Sequence, residues 1–298
     1  MAPSPSRKPL RPIALVTCSA FPDLHDDDRR LLEPLAAAGL SPEAVRWDDR
    51  SVSWGSFEAV VLRSPWDYSR REREFRDWLD ALEEAGARVL NPVPVVRENL
   101  DKTYLRALEA RGVATPPSLW IARGDPRSGR ELLADVRWRE IVVKPTFSAG
   151  AYRTRKTTTD ALRSDDSPLR EVLGDAGALV QPFLREVVEK GEWSFVWFGD
   201  RYSHAVIKRP KPGDFRVQFV HGGTHAEATA PPALMRQAAH AVSLLGGGCL
   251  YTRLDAVEID GRLVVMEVER TEPYLFLGES PGAPQRFVDA LVGLLGRA

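Results

Sequence analysis

Four residues late in the chain carry the densest chemistry: Arg253, Asp255, Glu267 and Glu269. They lie in residues 249–270, CLYTRLDAVEIDGRLVVMEVER, where Asp260-Gly261 predicts a tight hairpin turn. Side chains alternate faces along a strand, so Arg253 and Asp255 share one face of the first strand. Glu267 and Glu269 share one face of the second, with Val264, Met266 and Val268 on the other. A strict two-residue loop pairs Asp255 with Met266, on the wrong face. A three-residue loop closed by a left-handed glycine pairs Asp255 with Glu267, and three carboxylates then meet one guanidinium. Such a patch repels itself unless protons or a cation neutralise it. Oxygen-only donors, without His or Cys, favour Mg²⁺ or Mn²⁺ over zinc. The same alternation also suits the solvated face of an ordinary hairpin, so other residues must decide.

Two lysines stand in unusual places. Residues 99–111 read as a helix with Lys102 in the first turn, where a cation opposes the macrodipole, and this points to anion binding. Residues 140–145, EIVVKP, form an apolar strand closed by Lys144, which must snorkel, pair or reach a ligand. The small residues that follow, Ser148 and Gly150 among them, let backbone N–H groups approach phosphate oxygens. Residues 178–183, ALVQPF, form a strand leading through Gln181, Pro182, Phe183 and Leu184 to Glu189 and Glu192. Lys208, Arg209, Lys211 and Arg216 then crowd between strands. The five histidines show no metal spacing, and His204, within a strand, reads as a packed core residue.

These groups need a frame to hold them. The first third alternates strands (12–18, 44–47, 59–63) with helices (26–39, 72–85), the pattern of a small parallel α/β unit. Its informative loop is RSPWDY, residues 63–68, directly after the third strand. Ligands gather at the carboxyl ends of parallel strands, so Arg63 is available to a carboxylate and Trp66 and Tyr68 to a substrate wall. An aromatic staple that packs the loop onto its own domain fits equally well. The chain of 298 residues exceeds a usual single domain, and two or three subdomains are expected. A net charge of −1, from 41 basic and 42 acidic residues, argues against nucleic acid or a membrane surface as partner. A polar Pro-rich start, two cysteines in apolar runs and no apolar run of eighteen residues lead to the expectation of a soluble cytoplasmic protein.

The order Asp101-Lys102, Val143-Lys144-Pro145, Val180-Gln181-Pro182-Phe183, Gly191-Glu192, Arg253-x-Asp255 and Glu267-x-Glu269 resembles the ATP-grasp superfamily of carboxylate–amine ligases. That superfamily includes glutathione synthetase and D-alanine–D-alanine ligase. The resemblance implies an α/β ATP-grasp fold, with an N-terminal parallel α/β domain (1–98) and two α+β subdomains gripping ATP (99–190 and 191–298). It implies that Lys102 and Lys144 hold nucleotide phosphates beneath the loop of Ser148 and Gly150. Residues 181–184 would frame adenine, and Glu189 or Glu192 would hold the ribose. Asp255, Glu267 and Glu269 would hold two Mg²⁺ or Mn²⁺ ions; the third ligand is often Asn in relatives and is Glu here. Arg253 would stabilise the reacting acyl group, and Arg216 would reach the transferred phosphate.

The opening ALVTC, the Asp-rich first helix, RSPWDY and the ending MEVERTEPYLFL narrow the resemblance to the actinobacterial group that includes the cycloserine-forming cyclo-ligase. This implies one small amino-acid-like substrate, an aminooxy compound derived from O-ureido-D-serine. Its amine would close on its own carboxylate to give D-cycloserine, ADP and phosphate. Trp66, Tyr68, Arg253 and Tyr274 would line the pocket, with Arg63 nearby, and a homodimer is open. An intermolecular amino-acid or dipeptide ligase is the alternative. A nucleotide-binding regulator without catalysis is a third reading, disfavoured because a pure binder needs no transition-state arginine.

Overall fold

Ile13–Thr17 (β1), Pro42–Arg46 (β2), Ala59–Ser64 (β3) and Val89–Leu90 (β4) form a parallel sheet in the order β2-β1-β3-β4. The computed structural model describes residues 11–296, so nearly all of the Pro-rich start lies outside the described residues. β1 and β3 are buried along their whole length, as a sheet covered on both faces requires. On one face lies the helix Glu72–Glu84, which contributes Phe75, Trp78, Leu79 and Leu82, the stripe expected from its apolar spacing. On the other face lies the last helix, Ala283–Leu295, through Phe287, Val288 and Leu291. The end of the chain therefore returns to its beginning.

The second sheet is antiparallel, in the order β5-β8-β6-β7, from Leu119–Ile121 (β5), Glu140–Pro145 (β6), Arg155–Thr158 (β7) and Ala178–Pro182 (β8). The third, also antiparallel, runs β11-β10-β9-β12-β13. Its strands are Glu192–Phe198 (β9), Arg201–Arg209 (β10), Thr224–Glu227 (β11), Tyr251–Ile259 (β12) and Arg262–Glu269 (β13). The helix Pro232–Ser243 covers one of its faces through Leu234, Ala238 and Ala241. Among the described residues no helix is long and apolar enough to cross a membrane.

Asn91 fastens the first sheet to the third. Its amide donates to the carbonyls of Tyr251 (2.9 Å) and Arg270 (2.6 Å). Its oxygen accepts from the N–H groups of Leu250 (2.7 Å) and Tyr251 (3.2 Å). The residue is fully buried at a left-handed φ of 67°, a conformation that Asn tolerates better than most side chains.

Two expected helices are interrupted. Residues 26–39 split into Asp26–Arg29 and Leu32–Ala37. Pro34 lacks an N–H and its ring clashes with the carbonyl four residues earlier, so the second helix starts afresh. Of residues 99–111 the helix takes only Tyr104–Ala110, and a separate helix, Val93–Asn99, precedes it. Lys102 lies in the break, not in a first helical turn. The cause is Asp101, whose carboxylate accepts from Thr103 N (2.9 Å) and from the Thr146 hydroxyl at the end of β6 (2.8 Å).

Candidate active site

The β12–β13 hairpin sets the centre of the site. Ile259 faces Arg262 across Asp260 and Gly261, at φ 50° and 76°, so the turn has two residues rather than the expected three. The register still places Asp255 opposite Glu267 and Arg253 opposite Glu269, because a bulge intervenes between Asp255 and Ala256. The extra residue is Met266, which lacks a partner between Val265 and Glu267. The bulge also corrects the expected faces. Val264 and Met266 belong with Val257 on the carboxylate side, whereas Val268 packs with Leu263 and Val265 under the covering helix.

The patch is held by charge. Arg253 is buried and donates to Asp255 from Nη2 (2.8 Å), to Glu269, and to the Tyr274 carbonyl from Nη1 (2.9 Å). Asp255 also accepts from the Ser194 hydroxyl and pairs with Lys208 at 3.2 Å. Burial works against its charge, but Arg253 and Lys208 outweigh it and hold the carboxyl below its usual range. Glu269 goes the other way. Burial pushes it up to about 8, Arg253 opposes that, and Glu267, Asp255 and Glu272 add to it. Glu267 pairs with Lys102 at 3.1 Å.

A cavity of about 1160 Å³ takes wall residues from all three sheets. That is room for a nucleotide and a small second molecule. Lys102, Lys144, Ser148 and Gly150 line it on one side, and Gln181, Pro182, Phe183 and Leu184 on another. Arg253, Asp255, Glu267 and Glu269 line it from the hairpin; Trp66, Tyr68 and Tyr274 line it from the first sheet and the loop after β13. Lys102 donates to the Ser148 carbonyl at 2.8 Å. Burial lowers the affinity of Lys144 for its proton, Lys102 adds to this and Glu267 opposes it. Lys144 forms no ion pair among the described residues, so a second anion would relieve it. The loop 148–154 bends through left-handed Gly150, Ala151 and Arg153, and His221 reaches across to the Gly150 carbonyl.

Some sequence-predicted residues stand elsewhere or are engaged. Arg63 is fully buried outside the cavity wall, bound to Asp28 (2.9 Å) and to the Pro273 carbonyl (2.7 Å). It braces the loop behind the site and is not open to a substrate carboxylate. Glu189 is exposed and lines a neighbouring cleft of about 370 Å³. Glu192 does line the cavity, but Lys208 holds it at 2.6 Å. Arg216 lines the cavity with its guanidinium on Asp214 (2.9 Å). Among the described residues no three His, Cys, Asp or Glu side chains are grouped so as to hold a metal ion. Basic side chains occupy the carboxylates instead: Arg253 bridges Asp255 and Glu269, Lys208 pairs with Asp255 and Lys102 with Glu267. Donor type and surplus negative charge nevertheless fit a divalent cation, since burial first, and then the neighbouring Glu267, Asp255 and Glu272, work against the charge on Glu269.

Three cavity residues were missed from sequence. Lys208 passed as one of a basic run, although its place in strand β10 beside apolar neighbours marks it for burial. Glu272 is a buried carboxyl hydrogen-bonded to the Tyr68 hydroxyl, and burial raises its proton affinity. His25 stands just before the Asp-rich helix, and its Nδ1 accepts from Asp27 N at 3.2 Å. No periodicity distinguishes either of these two. Asp27 in turn accepts from the N–H groups of Leu277 (3.0 Å) and Gly278 (2.9 Å), so the first helix also anchors the loop that carries Tyr274.

This arrangement has counterparts. The sequence model for the N-terminal domain of D-cycloserine synthetase DcsG matches residues 13–91. The cycloserine biosynthesis protein DcsG of Streptomyces lavendulae is 32% identical over 296 residues, covering 94% of this chain and 97% of that one. The crystal structure of D-cycloserine synthetase DcsG superposes with a TM-score of 0.85 at 29% identity, over 95% of this chain and 99% of that one. D-alanine–D-alanine ligase from Bacillus anthracis shares the fold, at a TM-score of 0.66 and 16% identity over 97% and 98% of the two chains. The chain belongs to the DcsG family of D-cycloserine synthetases, within the ATP-grasp ligases.

Proposed function

We propose that the chain closes an O-ureido-D-serine-derived amino acid into the ring of D-cycloserine, using ATP. One observation carries this reading. Arg253, flanked by Asp255 and Glu269, shares a cavity wall with Lys102 and Lys144, and aromatic Trp66 and Tyr274 narrow the same cavity. When bound, Mg²⁺–ATP would supply the γ-phosphoryl group that activates the substrate carboxylate as an acylphosphate, and attack of the same molecule's amine on the acyl carbon would release phosphate.

Asp255, Glu267 and Glu269 are the oxygen donors suited to the divalent cation, and two ions would suit three carboxylates. Lys102 and Lys144 take nucleotide phosphate charge, and Arg216 would turn from Asp214 toward the transferred group. Gln181, Pro182, Phe183 and Leu184 frame the base. Glu192 is the better placed of the two ribose candidates because it faces the cavity. Arg253 neutralises the oxyanion that develops at the acyl carbon. Holding both reacting ends of one molecule in near-attack geometry supplies much of the rate. The three sheets support division into units 1–98, 99–190 and 191–298, although the last helix packs back on the first.

ADP release with ATP and Mg²⁺ tests the reading, with ureido and aminooxy derivatives of D-serine each supplied as sole amino acid. The expectation is release that depends on one of them. Release only when a second amino acid is added would favour intermolecular ligation.

A further inference from the structure

The ligase reading leaves His25 without a task, yet its ring is fixed by one hydrogen bond and three aromatic neighbours. Phe21, Trp66 and Tyr274 surround it with ring centroids at 5.3, 5.0 and 5.5 Å. Nδ1 is committed to the N–H of Asp27 and must carry the lone pair, so the neutral ring bears its proton on Nε2. That Nε2–H has no protein partner among the described residues, although His25 is half-buried and lines the cavity. The pocket therefore contains a preset donor that nothing in the protein uses.

A donor of this kind selects what it meets. An ammonium offers no acceptor and the weakly basic nitrogen of an aminooxy group only a poor one, whereas the carbonyl oxygen of a urea is a strong acceptor. The substrate carboxylate is accounted for by Arg253, which binds the carbonyl of Tyr274 while the ring of Tyr274 packs against His25. His25 and Arg253 thus stand on either side of one residue, and a small amino acid spanning them presents its tail to His25. We propose that His25 is a specificity-determining residue that donates from Nε2 to a neutral carbonyl oxygen on the substrate tail, as in a ureido group. The inference rests on the ligase reading and adds to it the residue that reads the substrate tail.

The test is His25→Asn, because Asn is as good a helix cap but lacks a donor at the Nε2 position. Wild type and variant are assayed with O-ureido-D-serine and with its aminooxy counterpart, which lacks the carbonyl. The KM for the ureido compound should rise about tenfold in the variant, the effect of one neutral hydrogen bond. The KM for the aminooxy compound should change far less, and the KM for ATP and the melting temperature should stay unchanged. An equal change for both compounds, or none for either, overturns the proposal. His25→Asp, also a good cap without a donor, repeats the comparison if the Asn variant folds poorly. Wild-type turnover tests the ligase reading separately. If the wild type turns over neither compound, calorimetric titration of both proteins with O-ureido-D-serine reads the same contact, and equal affinities would overturn it.

Discussion

Arg253 donates from Nη1 to the Tyr274 carbonyl at 2.9 Å, which joins the charged hairpin to the loop that walls the substrate end of the cavity. The same guanidinium also holds Asp255 and Glu269. Lysine has one compact charged end and cannot serve all three acceptors from one position. Arg253→Lys should therefore fold normally yet lose about a hundredfold in kcat. Rates at saturating ATP and substrate measure this, and a loss below about threefold would remove Arg253 from the transition state.

Among the described residues Glu267 pairs with Lys102 alone, and it keeps some contact with solvent, so neutralising it disturbs the fold little. Glu267→Gln should lower kcat/KM by about a hundredfold and raise the Mg²⁺ concentration needed for half-maximal rate. A magnesium titration of both proteins with unchanged midpoint would take Glu267 out of the metal set.

Asn91 satisfies four backbone groups that no water reaches. Asn91→Ala leaves them unpaired and also forces Ala into a left-handed φ. The expected loss is about 4 kcal/mol in urea unfolding, with ATP binding by the remaining folded protein little changed. A loss below about 1 kcal/mol would mean that the first and third sheets are joined by other contacts.

His204 sets a pH dependence of stability. Burial lowers its pKa from 6.5 to about 4, while its bond to the Leu275 carbonyl (2.9 Å) opposes the shift. Between these values the unfolded chain binds a proton that the native chain refuses. Its stabilising contribution is thus complete above pH 6.5 and is lost as the pH falls toward 4, by about 3 kcal/mol in all. Unfolding measured across that range should show a shallower slope in His204→Gln. Identical slopes would assign the acid sensitivity to other groups.

Much of this site was legible because its signals are local. Asp260-Gly261 marked the turn, alternation placed Asp255 and Glu267 on facing strands, and Lys144 stood out at the end of an apolar strand. The rest was set by partners far along the chain. The bulge at Met266 adds one residue without any change in composition, so the correct pairing came with the wrong loop length. Lys102 was expected inside a helix because the apolar spacing runs on, whereas the break depends on Thr146 reaching Asp101. Arg63 looked free because Asp28 and Pro273, which bury it, lie in other elements.

Counting product against ADP with a single amino acid tests the central claim most directly, with product mass read in the same mixture. With the aminooxy derivative, or with O-ureido-D-serine once water has removed its carbamoyl group as carbon dioxide and ammonia, the wild type should form one ring of D-cycloserine mass per ADP, with no second amino acid present. Trp66 donates to the Glu272 carbonyl at 3.1 Å and packs against Phe21 and His25, so Trp66→Ala should loosen the bent pose and let water take the acylphosphate. The variant's ratio of product to ADP should then fall below one while ADP release continues. A linear product that joins two amino acids, or no ring product from the wild type, would contradict the account.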